Sequence, residues 1–200
     1  MRTPNRLLLA LTFLALAAAC LPAVRAVAEE EDAAKELIGR MAELRDLEDT
    51  SGLMEALGQA PDIYKSTENS GLRSKLRREM GKVLKDRKLG DARVAAVEAL
   101  VQIDEAKGAW KEISKAMPSP KVEEATALDL ALVRAAGQLA QSRAIAVLFD
   151  LVANAANPRI QKAAAEALGG YREDRRNRVK VLEELVALGR RLRPGIAPDK

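Results

Sequence analysis

Histidine is absent from this 200-residue chain, and cysteine occurs once, at Cys20. Without histidine the commonest general base and metal ligand is missing, so no Ser-His-Asp or Cys-His constellation can form and no His/Cys zinc site is available. A lone cysteine cannot close a disulfide within the chain. Phosphate-cradling glycine loops, a Ser-x-x-Lys pair and an Asp/Asn-rich calcium loop are also lacking. Adjacent carboxylates such as Glu123-Glu124, Glu173-Asp174 and Glu183-Glu184 are the one catalytic device left. They lie among many Lys and Arg, and adjacent residues on a helix do not share a face, so a solvated surface accounts for them. Aromatics are scarce as well: beyond residue 28 they are Tyr64, Trp110, Phe149 and Tyr171. The core must therefore be aliphatic, and no aromatic platform for single-stranded nucleic acid is present.

What the chain has first is a leader. Arg2 and Arg6 precede an unbroken apolar run from Leu7 to Ala19, and Ala26-Val27-Ala28 then stands directly before Glu29-Glu30-Glu31-Asp32. A basic stretch, a short apolar run and a small-residue triplet predict a signal peptide over residues 1–28, cleaved after Ala28, and hence an exported, periplasmic or secreted protein. The run is too short to span a bilayer, which needs about 20 apolar residues. A second reading rests on Cys20, which follows Ala17-Ala18-Ala19 as the lipid-bearing cysteine of a lipoprotein follows small residues; the Leu usual three positions earlier is Ala17 here. Lipidation at Cys20 would make the product a lipid-anchored envelope component.

Cleavage removes Arg2, Arg6 and Arg25 and no acidic residue, so the formal charge falls from +4 to +1. The basic balance is thus largely a property of the leader and does not argue for nucleic-acid binding by the body. Within the body charge is uneven. Residues 29–49 carry a net −6 and residues 73–88 a net +6. Three readings stand side by side: the two segments pair within the fold, each is a solvated face, or Arg77, Arg78, Lys82 and Lys85 form a basic docking surface for an acidic partner.

Abundant Ala and Leu, with Gly and Pro gathered between periodic stretches and no sustained alternation, predict an all-α body. The expected helices cover 31–48, 51–59, 70–86, 91–103, 106–117, 120–140, 142–154, 158–171 and 175–192. Thr50 or Ser51, Asp91 and Ser119 are candidate N-caps, Pro158 suits a first turn, and Gly169-Gly170 permits a stop. Trp110, with Ile113 and Met117 at i+3 and i+7, is expected to face inward. No cofactor site is expected.

Internal similarity is the richest signal. Ala92-Arg93-Val94-Ala95-Ala96-Val97-Glu98-Ala99-Leu100 matches Ile160-Gln161-Lys162-Ala163-Ala164-Ala165-Glu166-Ala167-Leu168, and the segment from Ala131 to Leu139 fits more loosely between them. Each is followed by an amphipathic helix, the last bearing Val179, Leu182, Leu185, Val186 and Leu192. Matching leucines are 39 and then 29 residues apart (Leu100, Leu139, Leu168). The segment Asn157 to Gly169, and less closely Asp91 to Leu100, resembles the first helix of the HEAT-like repeat family. That resemblance implies a right-handed α-α superhelix, a stack of antiparallel helical hairpins over 89–192. Residues 29–88 would precede it as a degenerate repeat or cap, and 193–200 would form a tail. It also implies a non-catalytic scaffold or adaptor that binds a protein partner; some HEAT-like proteins are chromophore lyases, so an accessory or lyase-type subunit is the alternative. Three-helix or bundle packing is the structural alternative.

Overall fold

The computed structural model describes residues 28–171 and 175–192; residues 1–27, which hold Cys20 and all but the last residue of the expected leader, and residues 193–200, the expected tail, lie outside the described residues. Nine α-helices and two 3-10 turns are present among the described residues, with no strand. Helix α1 covers 28–46, α2 Thr50–Ser66, α3 Ser70–Lys85, α4 Ala92–Gln102 and α5 Ala106–Ile113. After a connection at 114–126 come α6 Ala127–Leu139, α7 Ser142–Asn154, α8 Pro158–Leu168 and α9 Arg175–Leu192. No described helix is long and apolar enough to cross a membrane.

Local chemistry sets the ends of these helices. Asp49, one residue ahead of the expected caps, accepts from the Gly52 amide and opens α2. Asn157 accepts from Arg159 N with Pro158 in the first turn of α8, where a missing N–H costs nothing. Helix α6 begins at a capping box in which Thr126 accepts from Asp129 N while Asp129 accepts from Thr126 N. That box shortens the expected helix 120–140 to Ala127–Leu139. Ser119, the expected cap, instead accepts from Lys121 N within a turn, and Asp91 makes no side-chain cap bond. Helix α5 stops at Ile113 rather than 117.

Helix α2 runs seven residues past the expected stop at 59, through Pro61. A proline at that depth forfeits one backbone bond. Its ring is buried in the core beside Ala60 and Tyr64, and apolar burial offsets the lost bond. The Gly169-Gly170 pair also behaves differently from expectation. Gly169 is right-handed helical, and α8 tightens into a 3-10 turn over Gly169–Tyr171. Gly170 is needed for proximity: a Cβ there would lie 2.5 Å from the Gly137 carbonyl oxygen, and one on Gly137 would lie 2.7 Å from that of Ala167. These two glycines let α6 and the end of α8 approach backbone to backbone.

Packing follows a regular order. Helix α4 packs on α2 and α3, α6 on α4 and α5, and α8 on α6 and α7. Between the other helices, α3 meets α5 and α7 meets α9. Helices α2 and α3 thus join the same series as the matched segments. The uneven leucine spacing comes from the connections: thirteen residues, 114–126, join α5 to α6, whereas 155–157 join α7 to α8. The longer connection is pinned by Ala156 N donating to Pro120 O at 2.7 Å and by Asn157 Nδ2 donating to Glu123 O. One continuous core results, from Leu37 and Met41 to Leu168 and Tyr171, and it includes the four aromatics of the described residues, Trp110 among them. Many of its members are alanines, which permit close helix approach.

Candidate functional site

The four basic residues expected to form a docking surface have separate fates. Arg77 is 8% exposed and donates to Glu105 at the start of α5, which also accepts from the Tyr64 hydroxyl. Burial first, and the Glu105 bond second, push the Tyr64 phenol up to about 12. Arg73 lies 5.4 Å from the centre of the Tyr64 ring and donates to the carbonyls of Lys65 and Thr67 at the end of α2. These contacts bind α2, α3 and α5 together. Lys85 donates to the buried Glu112 at 2.9 Å, and Lys82 pairs with Glu79 one turn earlier at 2.6 Å. Arg78 is exposed and has no ion-pair partner among the described residues.

Pairing between the acidic and basic segments is sparse. Lys88 meets Glu48, while the contact of Arg45 with Glu79 at 2.8 Å runs the other way, base from the acidic segment to acid from the basic one. The charge on α3 is answered mainly by Glu105 and Glu112 of the α5 region, which belong to neither charged segment. Sequence alone gave no distance between α3 and α5, so these partners were not visible there.

Glu112 shows how much this internal pairing matters. Burial works to raise its pKa, but hydrogen bonds from Lys85 and Lys115, followed by their charges, outweigh burial and hold the carboxyl below its ordinary value of 4.5. A carboxylate with a depressed folded pKa contributes stability that is present above its unfolded pKa and lost as pH falls through the folded one. Glu112→Gln is therefore expected to cost about 1–3 kcal/mol at neutral pH, the range for charged hydrogen bonds in a buried setting. The gap to the parent should close as pH is lowered through the ordinary carboxylate range and below it. Urea unfolding of both proteins across that range checks it.

A surface of another character lies at the far end. Helix α9 turns Asn177, Val181 and Leu188 inward, and Asn177 Nδ2 donates to the Ala140 carbonyl at 3.1 Å. The stripe expected to be its packing face is instead open: Val179, Leu182, Leu185 and Val186 are 45–54% exposed. An apolar set on one helix face is the kind of patch that marks an interaction site. Beside it runs an open-sided groove of about 490 Å³, walled by Leu168 and Tyr171 on one side and by Val181, Leu182 and Leu185 on the other, with Arg178 at its rim. Sequence periodicity identified these α9 residues as apolar and evenly spaced; it could not tell which of them pack against the other helices and which stay open. The opposite end of the series exposes only Leu47 and Met54 among large apolar side chains of the described residues.

Among the described residues no three acidic side chains converge as a metal site. Glu123 and Glu124 are exposed in the 114–126 connection, and Glu183 is exposed on α9; Glu173 and Asp174 lie outside the described residues. Comparison of the chain with protein-family models, with curated proteins and with solved structures finds no match.

Proposed function

We propose that this chain is an exported helical-repeat protein that acts without catalysis as a scaffold or adaptor, binding another protein along the surface of its stacked hairpins. The observation that carries this reading is the unpacked aliphatic face of α9 with the groove beside it. Globular monomers seldom leave such a patch without a use. The serial packing of α2, α4, α6 and α8 supports a HEAT-like stack, since in a repeat array each hairpin is buried by its neighbours. The absence of histidine from the whole chain, and of cysteine from residues 29–200, supports a binding role over an enzymatic one. The leader over residues 1–28 supports export, and Cys20 keeps a lipid anchor within the proposal.

Affinity capture from envelope extracts at low and at moderate salt tests the reading. A protein should be retained at both, because an aliphatic contact outlasts screening of surface charge. Recovery of no protein at either salt contradicts a scaffold role. Charge reversal of Arg78, the one member of the basic set left unpaired among the described residues, should change capture little.

A further inference from the structure

The groove at the end of the stack lies where the next helix of the series would be. Each even-numbered helix packs on the even helix before it and on the helix that immediately precedes it: α4 on α2 and α3, α6 on α4 and α5, α8 on α6 and α7. The position that follows rests on α8 and α9. Its walls are the walls of the groove, Leu168 from α8 and Tyr171 from the 3-10 turn on one side, Leu182 and Leu185 of α9 on the other. Helix α9 packs mainly on α7 and on that turn, which leaves the α8 side of α9 open. The groove is therefore shaped for a helix, by continuity with three interfaces already built in the same way.

We infer that this slot receives an amphipathic helix of a protein partner, one with aliphatic residues on its inner face and acidic residues at its edge. Aliphatic anchors at i, i+3, i+4 and i+7 fit an apolar groove of this kind. The acidic edge follows from the charge of α9. The helix carries six basic residues against Glu183 and Glu184, and Arg178 stands at the groove rim with no ion-pair partner among the described residues. This rests on the protein-binding reading above and specifies its partner.

Other occupants fit less well. Residues 193–200 hold a single acidic side chain, Asp199, and no aliphatic set at i, i+3, i+4 and i+7, so they match neither the groove walls nor Arg178. The apolar leader segment Leu7 to Ala19 contains no carboxylate to meet Arg178, and none occurs anywhere in residues 1–28. A second copy stacked head to tail would bring up the other end of the series, where Leu47 and Met54 offer too little apolar surface to fill the slot.

The test uses the purified chain and a fluorescent synthetic peptide, an amphipathic helix with Leu at i, i+3, i+4 and i+7 and Glu along its edges, read by anisotropy. A peptide with Lys in place of each Glu is the charge control. The Glu peptide should bind, and the Lys peptide should bind at least about tenfold more weakly, the effect of opposed charges at an interface. Leu182→Gln should weaken the Glu peptide by about tenfold or more. Leu182 is more than half exposed, so unchanged circular dichroism and melting will separate lost binding from lost folding. Arg178→Glu should narrow or reverse the preference between peptides. The inference is overturned if the Glu peptide fails to bind or if its binding ignores both substitutions. It is equally overturned if sodium laurate binds the groove in place of the peptide, which would make it a site for small amphiphiles, or if sedimentation shows a dimer that Leu182→Gln dissolves. Envelope capture that persists through Leu182→Gln defeats this slot and leaves the scaffold reading intact.

Discussion

Gly137→Val is expected to destabilise the protein by about 3 kcal/mol or more and to lower its melting temperature by roughly 6–12 °C, taking overpacking energies together with the usual scaling for a chain of this size. Gly137 is buried in α6 at its crossing with α8. A Cβ there would meet the Ala167 carbonyl oxygen at 2.7 Å and its Cα at 2.8 Å. These are backbone atoms of a packed helix and cannot rotate away as a side chain can, so relief requires the helices to separate. Separation would also strain the approach of Gly170 to the Gly137 carbonyl. Gly58 provides the contrast. It lies within α2, and a Cβ there would meet nothing within 4 Å. Gly58→Ala should therefore stabilise by roughly 0.5–1 kcal/mol through helix propensity. Urea unfolding of the two variants should give shifts of opposite sign; a Gly137→Val protein as stable as the parent would show that α6 and α8 do not cross so closely.

Tyr171→Ala is the other substitution with a large expected cost, about 3–5 kcal/mol as for aromatic truncation in a core. Tyr171 is 1% exposed, and its hydroxyl lies 3.0 Å from Ala136 O and 3.1 Å from Gln141 O, to which it donates. Ala136 O belongs to the last turn of α6, where carbonyls lack intrahelical partners. Helix α6 closes on Ala140 in a left-handed conformation, φ 47°. The chain bears that strain because Tyr171 and Asn177 hold the adjacent carbonyls. Burial pushes the Tyr171 hydroxyl well above the ordinary phenol range, so it remains a donor throughout physiological pH. Tyr171→Phe isolates the hydroxyl and should cost only about 1–2 kcal/mol. The side chain also forms one wall of the groove, so the Ala variant should lose partner binding together with stability, and Phe should keep it.

The all-helical body was legible in the sequence because composition and 3.6-residue periodicity agree along nearly its whole length. Proline and capping signals were where the boundaries went astray. The helix expected over 51–59 stopped short of Pro61, whose ring is buried in the core, where burial outweighs one lost backbone bond in α2. Ser119 was the expected cap and the Thr126/Asp129 box is the real one; the contact of 120–123 with the α7–α8 connection shows why the chain stays out of a helix there. The basic residues of α3 illustrate a second limit. Arg77, Arg78, Lys82 and Lys85 look alike in sequence, but Arg77 is buried and Arg78 exposed because consecutive helical residues are 100° apart and α5 covers only one side. On α9 the apolar spacing was visible and its openness was not, since exposure depends on what packs against the helix and periodicity does not report that.

The measurement that bears most directly on the central claim is site-specific photo-crosslinking during envelope capture, with the reactive group placed at position 182 and, as reference, at position 54. Both side chains are close to half exposed, so general stickiness would label the two alike. The predicted result is a discrete adduct from position 182 alone, whose partner peptide, identified by mass spectrometry, is an acidic amphipathic helix. No adduct from position 182, or the same adducts from both positions, would contradict the assignment of the α8–α9 slot as the surface on which this protein works.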